Sequence, residues 1–133
     1  MCYGYLSTCL VKTMPRPIRI LVVDDEHWVA DTLGSILHQA GYEVMVTYKG
    51  SEAIAAAHTF RPDTVIADYF MPPGINGIQT CLQINQVLPS TRIIMLSGHL
   101  LAEEFARYQT EGYDFLFLSK PMHPTELLKA VAA

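Results

Sequence analysis

Short apolar runs alternate with segments of helical periodicity over most of this chain. The run IRILVV (18–23) is short and β-branched, which predicts a buried strand. Four further strands are predicted at 43–48, 63–68, 91–97 and 113–118. The segments between them carry apolar residues at helical spacing and stop at Gly or Pro. Because β and α segments alternate five times without a hairpin dipeptide, we predict a parallel sheet covered by helices on both faces.

The two ends of the chain differ in how well they fit this pattern. Pro124 stands where a first-turn proline would open a short fifth helix. Residues 1–16 fit no element, so we expect a disordered N-terminal extension or a start of translation at Met14 instead of Met1. One domain is therefore predicted, over residues 17–133.

Composition and charge exclude several classes of protein. Half of the 133 residues are apolar and 17% are charged, as in a folded globular domain. The net charge of −4 disfavours non-specific nucleic-acid binding, because a phosphate backbone favours a basic surface. No apolar run reaches the roughly 18 residues that cross a bilayer, and the N-terminus lacks a secretory signal pattern. We expect a cytoplasmic protein that binds neither membranes nor nucleic acid directly.

Polar side chains stand at the carboxyl ends of four predicted strands. Asp24 and Asp25 follow the first strand, and Asp68 ends the third. Ser97 ends the fourth strand, and Lys120 follows the fifth. Ligands of an open parallel sheet bind beyond these ends. We therefore expect the five side chains to cluster at one edge of the sheet.

The chemistry of this cluster favours a divalent cation and a phosphoryl group. Neighbouring carboxylates repel one another, and one lysine cannot compensate three acids. Oxygen-only ligands suit Mg²⁺, which binds through one or two carboxylates together with phosphate oxygens. A metal, an ammonium and a hydroxyl can each contact one phosphoryl oxygen. Asp68 can then accept the group as an aspartyl phosphate.

Simpler roles stay open for each residue alone. Asp24 or Asp25 could cap the first helix, which is a common role for Asp after a strand. Ser97 could be an ordinary turn residue, and Lys120 a solvated loop lysine. Only their joint position at the strand ends favours a binding site.

Four motifs in order resemble the receiver domain of two-component response regulators. They are VVDDE, the loop that begins Asp68-x-x-Met-Pro, Ser97-Gly98 after an apolar strand, and Ser119-Lys120-Pro121. The resemblance covers about residues 17–133. It implies a flavodoxin-like fold, a doubly wound sheet of five parallel strands in the order 2-1-3-4-5 with helices on both faces.

The resemblance also implies the roles of the acidic residues. Asp68 would be the phospho-acceptor, and Lys120 would pair with the phosphate. Asp25 would bind Mg²⁺ directly and Asp24 largely through water. Asp68 and the Phe70 backbone carbonyl would complete the metal ligands.

Two further residues would form the switch that the resemblance implies. Ser97 would be the switch hydroxyl, with a part in catalysis, and Phe117 the rotating aromatic three residues before Lys120. Their movement would change the face of the fourth helix, fifth strand and fifth helix. That face would bind a downstream protein or output domain, or a second copy in a homodimer.

The implied phosphodonor is a histidine kinase or a histidine phosphotransfer protein. The chain ends directly after the fifth predicted helix, so we expect a stand-alone regulator or a receiver excised from a longer protein. We do not expect an enzyme beyond Mg²⁺-dependent self-phosphorylation and autodephosphorylation, because aspartate-nucleophile phosphatases usually carry a second acid where Phe70 stands. The alternative is a pseudo-receiver, a phosphorylation-independent interaction module.

The loop after Asp68 departs from the family pattern. Asn76-Gly77 arrives one position late, so Pro73 or Gly74 is an extra residue. Since Phe70 precedes the insertion, we expect an intact Mg²⁺ site and a change at the start of the third helix.

Three bulky residues stand close to the predicted site in the sequence. Phe70 and His99 each lie two positions beyond a site residue, where they could shield an acyl phosphate from water. We therefore expect slow autodephosphorylation. Trp28 could contact the phosphodonor or pack on the edge of the first helix.

Overall fold

The computed structural model describes residues 16–71, 76–98, 102–120 and 122–133, with side chains in the fourth helix described from residue 106. The elements found in these residues are β1 (Arg19–Val23), α1 (His27–Gln39), β2 (Glu43–Thr47), α2 (Gly50–Phe60), β3 (Thr64–Asp68), α3 (Gly77–Val87), β4 (Arg92–Ser97), α4 (Ala102–Thr110), β5 (Phe115–Ser119) and α5 (Pro124–Ala132). The strands form one sheet in the order β2-β1-β3-β4-β5, and every neighbouring pair is parallel. The predicted fold class is confirmed.

The core consists of two apolar clusters on opposite faces of the sheet. Successive strand residues point to opposite faces, so Leu21 and Val23 enter one cluster and Ile20 and Val22 the other. The first cluster packs against α2 and α3, and the second against α1 and α5. Each fully buried aliphatic side chain contributes about 1.5–3 kcal/mol relative to exposure. Central strands buried on both faces therefore hold their carboxyl ends in fixed positions.

Helix boundaries mostly follow the predicted stop and start signals. Pro124 opens α5 as predicted, and the His123 Nδ1 caps it by accepting a hydrogen bond from the Thr125 N–H at 3.1 Å. The predicted fifth strand, 113–118, was wrong at both ends. Tyr113 instead closes α4, because its N–H bonds the Tyr108 carbonyl after Gly112 turns the chain at φ 95°.

An ion pair fixes the amino end of β1. It lies at the amino ends of the strands, on the opposite side of the sheet from the acidic residues. Arg16 makes a two-pronged contact with Asp63, both N–O distances being 2.9 Å. The Arg19 N–H donates to the same carboxylate at 2.8 Å. Arg16, the last residue of the predicted extension, thus contacts the domain, whereas residues 1–15 lie outside the described ranges. None of the described helices has the length and apolar character needed to cross a membrane.

Candidate functional site

Parallel register brings three acids to one edge of the sheet. β1 and β3 lie side by side, with Val23 opposite Ala67, so Asp24 and Asp68 follow adjacent positions. The carboxylates of Asp24, Asp25 and Asp68 each offer one oxygen, and these oxygens lie within 4.8 Å of one another. Asp24 and Asp68 are buried, whereas Asp25 is exposed. The arrangement has the spacing of a metal site that opens to solvent on the Asp25 side.

Asp24 is held on both its backbone and its side chain. Its N–H donates to the Thr47 carbonyl in β2 at 3.2 Å. Its Oδ1 accepts from the Glu26 N–H at 3.0 Å, and the side chain is 1% exposed. The N-cap of α1 is Glu26, so neither Asp24 nor Asp25 is the capping residue that the simpler interpretation required.

Lys120 supplies the positive charge of the site. Its Nζ lies 3.3 Å from Asp68 Oδ1 and 3.5 Å from Asp24 Oδ2. Its backbone N–H donates to the Ser97 carbonyl at 2.8 Å, which fixes the chain where β5 ends. The structure therefore places Lys120 between two carboxylates, and the solvated-lysine interpretation was wrong.

Burial and mutual repulsion shift the protonation of these groups. Burial raises the pKa of Asp24 to about 6, with the negative charge of Asp68 adding to it. Burial also raises the pKa of Asp68, against the opposing effects of Lys120 and of a hydrogen bond from the Phe70 N–H. Burial lowers the pKa of Lys120, but attraction to Asp24 and Asp68 outweighs this and the net shift is upward. One ammonium thus leaves three carboxylates under-compensated.

The donor set fits Mg²⁺. All three side chains offer hard oxygen ligands, which suit Mg²⁺ better than softer metals. A divalent cation would also compensate the negative charge that, after burial, contributes to the two raised pKa values. Asp24, Asp25 and Asp68 are the residues that would hold it. The orientation of the Phe70 carbonyl as a further ligand stays a prediction.

The two predicted switch residues lie in the sheet next to this cluster. Ser97 is 8% exposed at the end of β4 and pairs in register with Ser119. Phe117 is half-buried on β5, opposite Met95, and packs against the cluster on the α2 and α3 face. Phe117 therefore lies on the strand next to Ser97, two positions before Ser119 in the register. His99 lies outside the described residues.

Two aromatic residues stand on the rim of the site. Phe70 is 68% exposed and Trp28 is 71% exposed. Trp28 lines one wall of a groove of about 390 Å³ between α1 and α5, and its contact with a phosphodonor stays a prediction. Lys120 also lines this groove, so the groove is continuous with the acidic cluster.

The start of α3 follows the departure from the family pattern. Asn76 Oδ1 accepts from the Gln79 N–H at 2.9 Å, and the Gln79 side chain bonds back to the Asn76 N–H. This reciprocal capping box begins the helix at Gly77. Pro73 and Gly74 lie outside the described residues, so the position of the extra residue stays a prediction.

The sequence interpretation missed the end of β2. It gave Tyr48 no role, yet Tyr48 contacts His27 and Asp31 in α1, the helix that begins just after the acidic residues. The available signal was the same rule that located the other site residues, since Tyr48 also follows the carboxyl end of a strand.

The raised pKa of Asp24 predicts how pH affects the metal-free protein. Asp titrates near 3.9 in an unfolded chain, but at about 6 here. Between these values the folded state binds more protons, so the free energy of unfolding should fall as pH rises from about 4 to about 6. We expect chelator-treated protein to melt at a higher temperature at pH 5 than at pH 7. Asp24→Asn should flatten this dependence, and an unchanged slope would contradict the assignment.

Comparison with known proteins agrees with this geometry. The model of the response regulator receiver domain family matches residues 20–132, so the chain belongs to that family. The DNA-binding response regulator MtrA of Mycolicibacterium smegmatis is 36% identical over 117 residues, which are 86% of this chain and 49% of MtrA. The transcriptional regulatory protein PhoP of Bacillus subtilis, named for alkaline phosphatase synthesis, is 34% identical over 86% of this chain and 47% of PhoP. The chain thus spans about half the length of these curated relatives.

Solved structures give the same class over most of their own length. The chemotaxis protein CheY4 of Vibrio cholerae superposes with a TM-score of 0.80 and 29% identity, covering 88% of this chain and 98% of CheY4. A CheY-like receiver domain protein of Methanospirillum hungatei gives a TM-score of 0.79 and 26% identity, covering 88% of this chain and 92% of that one. The described residues therefore form a response regulator receiver domain of two-component signalling.

Proposed function

We propose that Asp68 accepts a phosphoryl group from a histidine kinase or a histidine phosphotransfer protein in a Mg²⁺-dependent reaction. One observation carries the proposal. The Asp68 carboxylate lies 3.3 Å from the Lys120 ammonium and within 4.8 Å of oxygens from Asp24 and Asp25. An acid at the end of a buried strand, with a cation on one side and metal ligands on the other, is placed to act as a nucleophile.

The reaction exchanges one bond to phosphorus for another. An Asp68 carboxylate oxygen forms the new P–O bond, while the P–N bond to the donor's imidazole breaks and its electron pair returns to that nitrogen. Lys120 favours the charged form of Asp68, which the attack requires, and then pairs with a phosphoryl oxygen. Bound Mg²⁺ would neutralise charge on the phosphoryl oxygens. Asp24 and Asp25 would hold it, together with the Phe70 carbonyl.

Phosphorylation then shifts the protein between two states. The Ser97 hydroxyl moves toward the phosphoryl oxygens, and Phe117 rotates inward behind it. The face of α4, β5 and α5 changes with Phe117, because that residue lies on β5 in the middle of it. A downstream protein, an attached output domain or a second copy that prefers one state would bias the equilibrium.

The output of this switch lies with partners of the receiver domain. MtrA is a DNA-binding response regulator about twice the length matched here. The receiver domain itself carries a net negative charge, so we expect it to make no direct contact with nucleic acid. We also propose no turnover beyond self-phosphorylation and autodephosphorylation, since an apolar Phe70 cannot act as a general acid.

Acetyl phosphate tests the proposal without a partner protein. Incubation with acetyl phosphate and Mg²⁺ should add one phosphoryl group, mapped by mass spectrometry after borohydride reduction to the peptide that contains Asp68. Chelation of Mg²⁺ should prevent it, and beryllofluoride with Mg²⁺ should change the fluorescence of Trp28. If no phosphoryl adduct forms and beryllofluoride causes no change in fluorescence, the pseudo-receiver alternative is favoured.

The exposed ring of Phe70 predicts a further kinetic effect. Its backbone N–H reaches Asp68, so the side chain starts directly beside the acyl phosphate. We expect Phe70→Ala to speed loss of the phosphoryl group at least about twofold, because water reaches the phosphorus more easily. Phosphate release from purified phosphoprotein measures the rate. Val87→Ala, an exposed apolar residue on α3, is the control, and equal rates for wild type and Phe70→Ala would contradict the shielding hypothesis.

A further inference from the structure

We propose that Tyr48 is a positioning residue for the metal-binding loop, acting through His27 and Asp31 on the start of α1. The inference rests on the Mg²⁺ site of the proposed function. Tyr48 follows the carboxyl end of β2, so it stands at the same edge of the sheet as the acidic cluster. It is half-buried and packs against the apolar cluster beneath α1 and α5.

The start of α1 lacks the usual capping contacts. The side chain of its N-cap residue, Glu26, accepts no hydrogen bond from the helix backbone, and the first turn carries no acidic residue. The local support comes from Asp24, whose Oδ1 accepts the Glu26 N–H while its Oδ2 faces Lys120. Both oxygens of Asp24 are therefore engaged before any cation binds. Contacts from outside the loop are needed to hold the helix start while Asp24 also serves a metal.

Tyr48 supplies such contacts on one face of α1. Its ring stacks on His27, with ring centroids 3.9 Å apart and planes inclined by 24°. Its hydroxyl donates to Asp31 Oδ1 at 2.6 Å. His27 and Asp31 are four residues apart, so they lie on the same face of α1, about one turn from each other. The Tyr48 N–H also donates to Glu52 Oε1 in α2 at 3.1 Å, which fixes the backbone of Tyr48.

A short covalent path joins these contacts to the metal ligands. Thr47 holds Asp24 from β2, because its carbonyl accepts the Asp24 N–H. The Thr47 hydroxyl in turn donates to the Val22 carbonyl at 2.9 Å within the core. Asp25 therefore lies in a short loop that is held at both ends. Thr47 holds Asp24, and the next residue, Tyr48, holds His27.

This arrangement predicts an effect on metal affinity. Removing the partner that orients a metal ligand typically weakens binding about 10–100-fold. Tyr48 acts one contact further away, so we expect Tyr48→Phe to raise the Mg²⁺ dissociation constant about three- to tenfold. The substitution removes the hydroxyl bond to Asp31 and keeps the ring on His27. Tyr48→Ala removes both and should have the larger effect.

Tyr42→Phe is the matched control. Tyr42 precedes β2 at its other end and packs against the same apolar cluster. Mg²⁺ titration by calorimetry and the melting temperature of chelator-treated protein are measured for both variants. The inference expects weaker Mg²⁺ binding in Tyr48→Phe alone, with a melting temperature somewhat below that of Tyr42→Phe because the hydroxyl bond to Asp31 is lost. A merely structural role would lower the melting temperature of Tyr48→Phe and leave its Mg²⁺ dissociation constant unchanged.

A double-mutant cycle with Asp31→Ala separates the remaining outcomes. If the hydroxyl acts through Asp31, adding Tyr48→Phe to Asp31→Ala should change the Mg²⁺ dissociation constant no further. Additive effects would overturn the proposed route. If wild-type protein binds Mg²⁺ and Tyr48→Phe binds it equally well, the positioning role alone fails. If wild-type protein binds no Mg²⁺, the proposed function fails and this inference fails with it.

Discussion

Asp68→Asn should abolish phosphorylation by acetyl phosphate, lowering the rate by at least about a thousandfold. The amide keeps the size of the carboxylate but has no anionic oxygen to attack phosphorus. The fold should persist, since burial already disfavours the charge of Asp68 and repulsion within the acidic cluster is relieved. We therefore expect a melting temperature equal to or above that of wild type in metal-free buffer. Intact-mass measurement of the phosphoryl adduct and thermal unfolding give the two values.

Asp63→Asn is the matched control, since it makes the same chemical change at the other end of β3. Asp63 pairs with Arg16 and accepts the Arg19 N–H, and although burial opposes it, these contacts lower its pKa. The control should lose a little stability, because the exposed ion pair with Arg16 loses its negative partner. It should still accept the phosphoryl group. A phosphoryl adduct on Asp68→Asn at the wild-type rate would place the acceptor elsewhere in the chain.

The sequence predicted the sheet because its central strands are buried on both faces. Such strands are short apolar runs, and the chain leaves the buried core at the residue that ends or follows each run. Asp24 and Asp68 are therefore visible in one dimension as acids that end apolar runs. Their proximity follows from parallel strand order and needs no knowledge of side-chain packing.

Contacts between distant elements could not be predicted in this way. Tyr48 and Asp31 are 17 residues apart, and nothing in either segment marks the other as a partner. Arg16 pairs with Asp63, which is 47 residues away in the sequence. A domain boundary drawn from the local sequence pattern therefore left Arg16 outside the domain. Tyr113 was predicted in β5, where aromatic residues are common. After the turn at Gly112, however, its N–H donates to the Tyr108 carbonyl at the end of α4.

The Asn76-Gly77 pair at the start of α3 could be only partly interpreted from the sequence. Asn76 caps the helix with its side chain, a common role of Asn at a helix start. The reason for glycine beside it is visible only in three dimensions. The Gly77 N–H donates to the Tyr69 carbonyl at 2.9 Å, which draws the first residue of α3 against the end of β3.

Gly77→Ala should be the most destabilising of the alanine substitutions at the described glycines. A Cβ at Gly77 would clash with the carbonyl oxygen of Asp68 and would lie 2.8 Å from its carbonyl carbon. Both are backbone atoms that cannot rotate away, so either α3 or the end of β3 must move. We expect a loss of about 2–4 kcal/mol in the free energy of unfolding. Since the displaced atoms belong to Asp68 itself, the folded variant should also accept phosphate more slowly.

Two other glycines turn this into a ranking that denaturant unfolding can measure. At Gly34 a Cβ would lie 2.6 Å from Val46 Cγ2, a side-chain atom that can rotate, and alanine favours the helix by up to about 1 kcal/mol. At Gly98, which follows β4, a Cβ would have no heavy-atom neighbour within 4 Å among the described residues. The loss of stability should therefore decrease from Gly77→Ala to Gly34→Ala to Gly98→Ala, the last within about 0.5 kcal/mol of wild type. If Gly77→Ala were as stable as Gly98→Ala, close contact between α3 and Asp68 could not be what positions the acceptor.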